Sequence, residues 1–86
     1  MRFQGAVIKE QGVTFAVVIV KKSVVENRPE AERVIRTFQP AFPRAPVVLM
    51  AQDSRGVPKY FGRSDIAKFL ANVPLSAIPW REYSVS

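Results

Sequence analysis

Eighty-six residues, 48% hydrophobic and 23% charged, describe one small globular domain over residues 1–86, and this balance argues against disorder. The chain contains no cysteine and no histidine, which excludes disulfides, thiolate chemistry and the commonest general base and transition-metal ligand. A formal net charge of +6, from thirteen Lys and Arg against seven Asp and Glu, serves solubility first and draws nucleic acid, anionic lipid or acidic partners second.

The N-terminal stretch MRFQGAVIKEQG is broken by Gln4 and closed by Lys9 and Glu10, and does not read as a secretory signal. The longest apolar run, Phe15–Val20, is strand-sized and far short of the roughly 18–20 apolar residues that span a membrane. The expectation is a cytoplasmic protein with no membrane association.

RFQGAVIKE and VTFAVVIVKK are rich in Val, Ile and Phe and flank the short connection EQG, a hairpin signature. Val17 to Val20 do not alternate with polar residues, so the second strand is expected to be central and covered on both faces. ENRPEAERVIRTFQPAFP follows. Asn27 is placed to cap a helix, with Glu30 three residues later completing a capping-box pattern and Pro29 tolerated in the first turn. Ala31, Val34, Ile35 and Phe38 form one apolar stripe, and Pro40 ends the helix.

PVVLMAQD and VPKYFGR read as two strands around SRG. Pro58 cannot donate to a ladder, which makes the second an edge strand or places Pro58 at its start. Ser64 or Asp65 is positioned to cap a second helix whose stripe is Ile66, Phe69, Leu70 and Val73, stopped by Pro74. Residues 74–86 are either an irregular arm packed through Leu75, Ile78 and Trp80, or a tail in which WREYSV forms a last strand. The resulting expectation is a small α+β two-layer sandwich of order ββαββα, with or without a C-terminal strand. Both helices would lie on one face of a four- or five-stranded mixed sheet over a single shared core.

The polar corner from Gln52 to Asp65 holds most of the candidate chemistry. Asp53, Ser54, Gly56, Gly62 and Ser64 or Asp65 each answer a backbone need of a turn, a strand end or a helix cap. Arg55, Lys59 and Arg63 answer none. With Lys59 and Arg63 on one face of an extended strand beside a helix N-terminus, they form a candidate anion site. Tyr60, Trp80 and Tyr83 are candidate partner-binding aromatics. The basic residues Lys21, Lys22, Arg28, Arg33 and Arg36 read as a solvated face, partly neutralised by Glu30 and Glu32.

For catalysis the inventory is thin. Asp53 and Asp65 are the corner's only carboxylates, Ser54 and Ser64 have no histidine to activate them, and neither GxxxxGK[ST] nor GxGxxG occurs. No catalytic residue, metal ligand or cofactor is assigned. The leading expectation is a non-catalytic module that binds a protein partner through a sheet edge or the tail. The alternative is a binder of nucleic acid or another anion through the basic corner, and an enzyme with an oxygen-only site comes last.

FPRAPVVLMAQDSRGVPKYFGRSDIAKFL places a Pro before a buried strand, a Gly turn, an edge strand ending in Gly, and then a helix. In this order it resembles the C-terminal half of thioredoxin-like domains. The resemblance covers about a third of the chain and implies Pro46 as the family's cis-proline, Gly56 as its turn and Gly62 as its strand-ending Gly. It implies no redox activity, because the C-x-x-C pair is missing, and the N-terminal hairpin differs from that family's strand–helix–strand. More broadly the chain is similar to many small uncharacterised bacterial proteins, a likeness that implies no function.

Overall fold

A computed structural model describes residues 2–10 and 12–84. In chain order the elements are β1 (Arg2–Glu10), β2 (Val13–Ile19), α1 (Lys22–Val25), α2 (Arg28–Phe38), a 3-10 turn (Gln39–Ala41), β3 (Val47–Gln52), β4 (Pro58–Phe61), α3 (Ser64–Leu70), a second 3-10 turn (Leu75–Ala77) and β5 (Arg81–Ser84). They form a small α+β domain built on one five-stranded mixed sheet of order β4-β3-β2-β1-β5. β2 and β3 run parallel, joined by the α1–α2 crossover, and every other neighbouring pair is antiparallel.

The two central strands determine the layers. Val17, Val18, Val48 and Leu49 are fully buried, and all of Val47–Ala51 is shielded from solvent. Strands that are apolar on both faces need cover on both. On one face Ala16, Val18, Val47 and Leu49 pack with Ala31, Phe38 and Phe42, backed by Val24, Val34 and Ile35. On the other, Phe15, Val17, Val48 and Met50 pack with Ile66, Leu70 and Ile78, backed by Leu75 and Trp80. The helices therefore lie on opposite faces, correcting the one-face, single-core expectation. The same run of apolar residues that marks β2 and β3 as central cannot be covered from one side.

Local chemistry explains most boundaries. Asn27 caps α2 by accepting the Glu30 backbone N–H at 3.2 Å. The capping box is only half made, because the Glu30 carboxylate turns to Arg33 instead. Pro58 opens β4 opposite Gln52. The Ala16 N–H donates to Pro46 O and the Val20 N–H to Met50 O. Alternation along β3 then turns Leu49 and Ala51 toward β4, with Phe61 and Lys59 as their partners. The nitrogen of Pro58 faces outward, where a missing donor removes no ladder bond.

Two expectations at α3 are corrected. Neither Ser64 nor Asp65 occupies the cap position; Arg63 does, without a side-chain cap bond. Phe69 is 37% exposed and meets Phe15 in a T-shaped pair at 6.1 Å, and α3 ends at Leu70, short of the Pro74 stop. α1 lies where the sequence stripe shows no helix, and it buries none of its residues. The tail combines both alternatives, an arm through Leu75, Ile78 and Trp80 followed by β5. Val85, part of the expected last strand, lies outside the described residues, as does Gln11 of the first hairpin connection. No described peptide bond is cis, so the bond before Pro46 is trans.

Candidate functional site: the polar corner and the open edge of β1

The corner from Gln52 to Asp65 is held by its own groups. The Asp53 carboxylate accepts the backbone N–H of Arg55 at 2.8 Å and of Val57 at 3.0 Å. Those two bonds, Val57 first, hold its carboxyl below the usual aspartate range, with smaller help from Lys59 and Lys22. The Gly56 N–H donates to Asp53 O, and Gln52 Nε2 donates to Gly56 O. Asp53 is thus the organiser of the β3–β4 turn.

The three candidate cations stand on three different segments, the β3–β4 turn, β4 and the cap of α3. Arg55 is exposed on the turn, and Lys59 is exposed on β4 opposite Ala51. β4 ends at Phe61, so strand alternation does not carry the face of Lys59 through to Arg63. Arg63 sends Nε and Nη2 to the two oxygens of Asp65 at 2.8 and 2.7 Å. That ion pair raises the arginine and lowers the carboxyl, and the Ile66 backbone N–H adds to the lowering of Asp65. The first turn of α3 already holds a carboxylate of this chain where an external anion would sit.

The three candidate aromatics are also dispersed. Tyr60 and Tyr83 stand on β4 and β5, the two outermost strands, and on opposite faces of the sheet. Tyr83 stacks on Phe3 at 5.5 Å and meets Phe42 edge-on at 5.3 Å. Trp80 donates Nε1–H to Leu75 O at 3.2 Å and covers the α3 face. The Tyr60 hydroxyl is buried with no hydrogen-bond partner among the described residues, and the loss of water pushes its pKa up. All three rings are half-buried packing elements.

A different site emerges at the β1–β2 hairpin. With Ala16 and Val20 turned to β3, residues Phe15 and Val17 turn to β1, where Ile8 and Ala6 receive them. The N–H and C=O groups of Phe3, Gly5, Val7 and Lys9 therefore point to the outer side. β5 meets Phe3 with Tyr83 and Gly5 with Arg81, then stops. Continuing that register would put Pro79 opposite Val7, and proline has no N–H to offer. Val7 and Lys9 have no backbone partner on this side among the described residues.

Beside this open edge lies a groove of about 360 Å³ lined by Val7, Thr14, Phe42, Pro43, Arg44 and Ala45. Its wall is tied down by Gln39, whose Nε2 donates to both Phe42 O and Ala45 O at 2.7 Å. The Ala45 N–H bonds back to Phe42 O, and the Phe42 ring is wedged against Phe3 and Tyr83. Val7 is 42% exposed on this face; Val13 and Phe69 are exposed on the other. Sequence reasoning missed Val7, Thr14, Arg44 and Gln39. The only signal was indirect, in the spacing from Arg81 back to Pro79 that ends β5 early.

Comparison with protein-family models, with curated proteins and with solved structures returned no match.

Proposed function

We propose that this chain is a non-catalytic protein-interaction module that docks a partner along the outer edge of β1, at Val7–Lys9. The observation that carries the reading is the pair of outward-facing peptide groups at Val7 and Lys9, left open where β5 ends. An unpaired strand edge is a template for another strand, and proteins that do not use an edge blunt it. β4 is blunted by Pro58, and β5 carries Arg81 and Glu82 on a strand of four residues. The open stretch of β1 has no proline and one charge, Lys9, and an apolar groove adjoins it.

The basic corner supports an anion-binding role less well, since Arg63 is committed to Asp65 and the Asp53 carboxylate lies within the field of Lys59 and Lys22.

The test compares the wild-type chain with Val7→Pro, which removes the outward N–H at a position where an edge strand tolerates proline. Val57→Ser, at the opposite end of the sheet, is the control. A protein captured by the wild type and by Val57→Ser, and lost with a still-folded Val7→Pro, fits edge docking. Capture unaffected by Val7→Pro contradicts it.

A further inference from the structure

The open edge and the groove also carry information about what they take. Val7 and Thr14 form the floor of the groove, Phe42, Pro43 and Ala45 give it apolar walls, and Arg44 stands at its lining. Lys9 pairs with Thr14 across the hairpin and shares a face with Val7, two residues away. Neither Lys9 nor Arg44 has an ion-pair partner among the described residues. Glu10, the nearest carboxylate in sequence, alternates to the opposite face. The site thus offers strand-pairing groups, a small apolar cavity and two uncompensated positive charges on one face.

We infer that the segment bound here is an extended acidic stretch of a protein partner. It adds as a strand outside Val7–Lys9, places an apolar side chain in the groove beside Val7, and sets a carboxylate against Lys9 and Arg44. This rests on the edge-docking reading and supplies the chemistry of its partner. Charge decides between occupants. A second copy of this chain brings another +6 to the interface, and like charge placed against like charge opposes association. An acidic strand meets complementary potential. The Gln39 bonds hold the groove wall in place before binding, which reduces the ordering cost of the complex.

The experiment uses three synthetic peptides with the full chain. The first repeats Thr-Val-Thr-Glu, so that Val and Glu alternate on one face of the strand. The second replaces each Glu with Lys. The third is the first with its backbone N-methylated at every residue, which keeps its charge but leaves neither edge an N–H with which to form a ladder. Binding is read by peptide fluorescence anisotropy and by amide shifts and exchange of the chain.

The expected result is that the acidic peptide binds with slowed exchange at Val7 and Lys9, and that the Lys peptide binds weaker by about tenfold or more. Raising salt should weaken the acidic complex. Arg44→Glu should weaken the acidic peptide and strengthen the Lys peptide, a reversal that general destabilisation does not produce. Equal binding of acidic and Lys peptides with the same protection at Val7 and Lys9 overturns the acidic inference while leaving edge docking intact. Equal binding of the N-methylated peptide, or no protection of Val7 and Lys9 with any peptide, overturns both. Concentration-dependent dimerisation that protects Val7 and Lys9 without peptide assigns the edge to a second copy and also overturns the inference.

Discussion

Gly62 lies so close to Val48 that a Cβ at residue 62 would fall 2.9 Å from Val48 Cγ2 and 3.1 Å from Val48 Cα. Its φ of +156° is one that L side chains rarely adopt. The strand end and the buried centre of β3 thus meet only because residue 62 has no side chain. Gly62→Ala is expected to destabilise the domain by about 1–3 kcal/mol, the usual cost of forcing atoms into a packed interior. Chemical denaturation checks this, and an unchanged midpoint would mean that β3 and β4 are less tightly joined than described.

Asp53 predicts a specific acid response. Its carboxyl titrates below the ordinary aspartate range because the ionised form accepts the Val57 and Arg55 N–H groups. A lowered folded pKa gives stabilisation that is complete above the unfolded value, about 3.9. It is lost as pH falls through the folded value. The Arg55 and Val57 amide shifts should therefore titrate together, with a midpoint below that of a free aspartate. Asp53→Asn should abolish the transition. A midpoint at the ordinary value would show that the turn does not depend on the carboxylate.

Tyr60 is half-buried, and its hydroxyl is buried without a partner. An orphaned buried donor costs stability, so removing it while keeping the ring should help. Tyr60→Phe is expected to be neutral or stabilising by up to about 1 kcal/mol. In the wild type the phenol should ionise above the normal tyrosine range, measured by its ultraviolet absorbance. A clear loss of stability in Tyr60→Phe would place a bonding partner on that oxygen.

The parts of this fold that depend on neighbours in sequence were legible there. Val17 to Val20 announce a strand covered on both faces, Asn27 reaches a backbone N–H three residues on, and Pro58 marks an edge by what it cannot donate. The parts that depend on partners distant in sequence were not. The stripes of α2 and α3 state which side of each helix is apolar, but not which face of the sheet it meets. That Arg63 would turn to Asp65 follows from the bend at Gly62, which strand periodicity alone does not contain. The open stretch of β1 is the clearest case. It exists because β5 pairs in a register that runs out at Pro79, and no property of Val7 or Lys9 taken alone reveals it.

The most direct measurement of the central claim is amide hydrogen exchange along β1 in the free chain, before any partner is added. Ala6 and Ile8 donate inward to β2, and Phe3 and Gly5 face β5, so these amides should exchange slowly. Val7 and Lys9, facing outward with nothing opposite among the described residues, should exchange fast, and should slow when the acidic peptide binds. Strong protection of Val7 and Lys9 equal to that of Ala6 and Ile8 in the free monomer would contradict the account, because the edge would already be occupied.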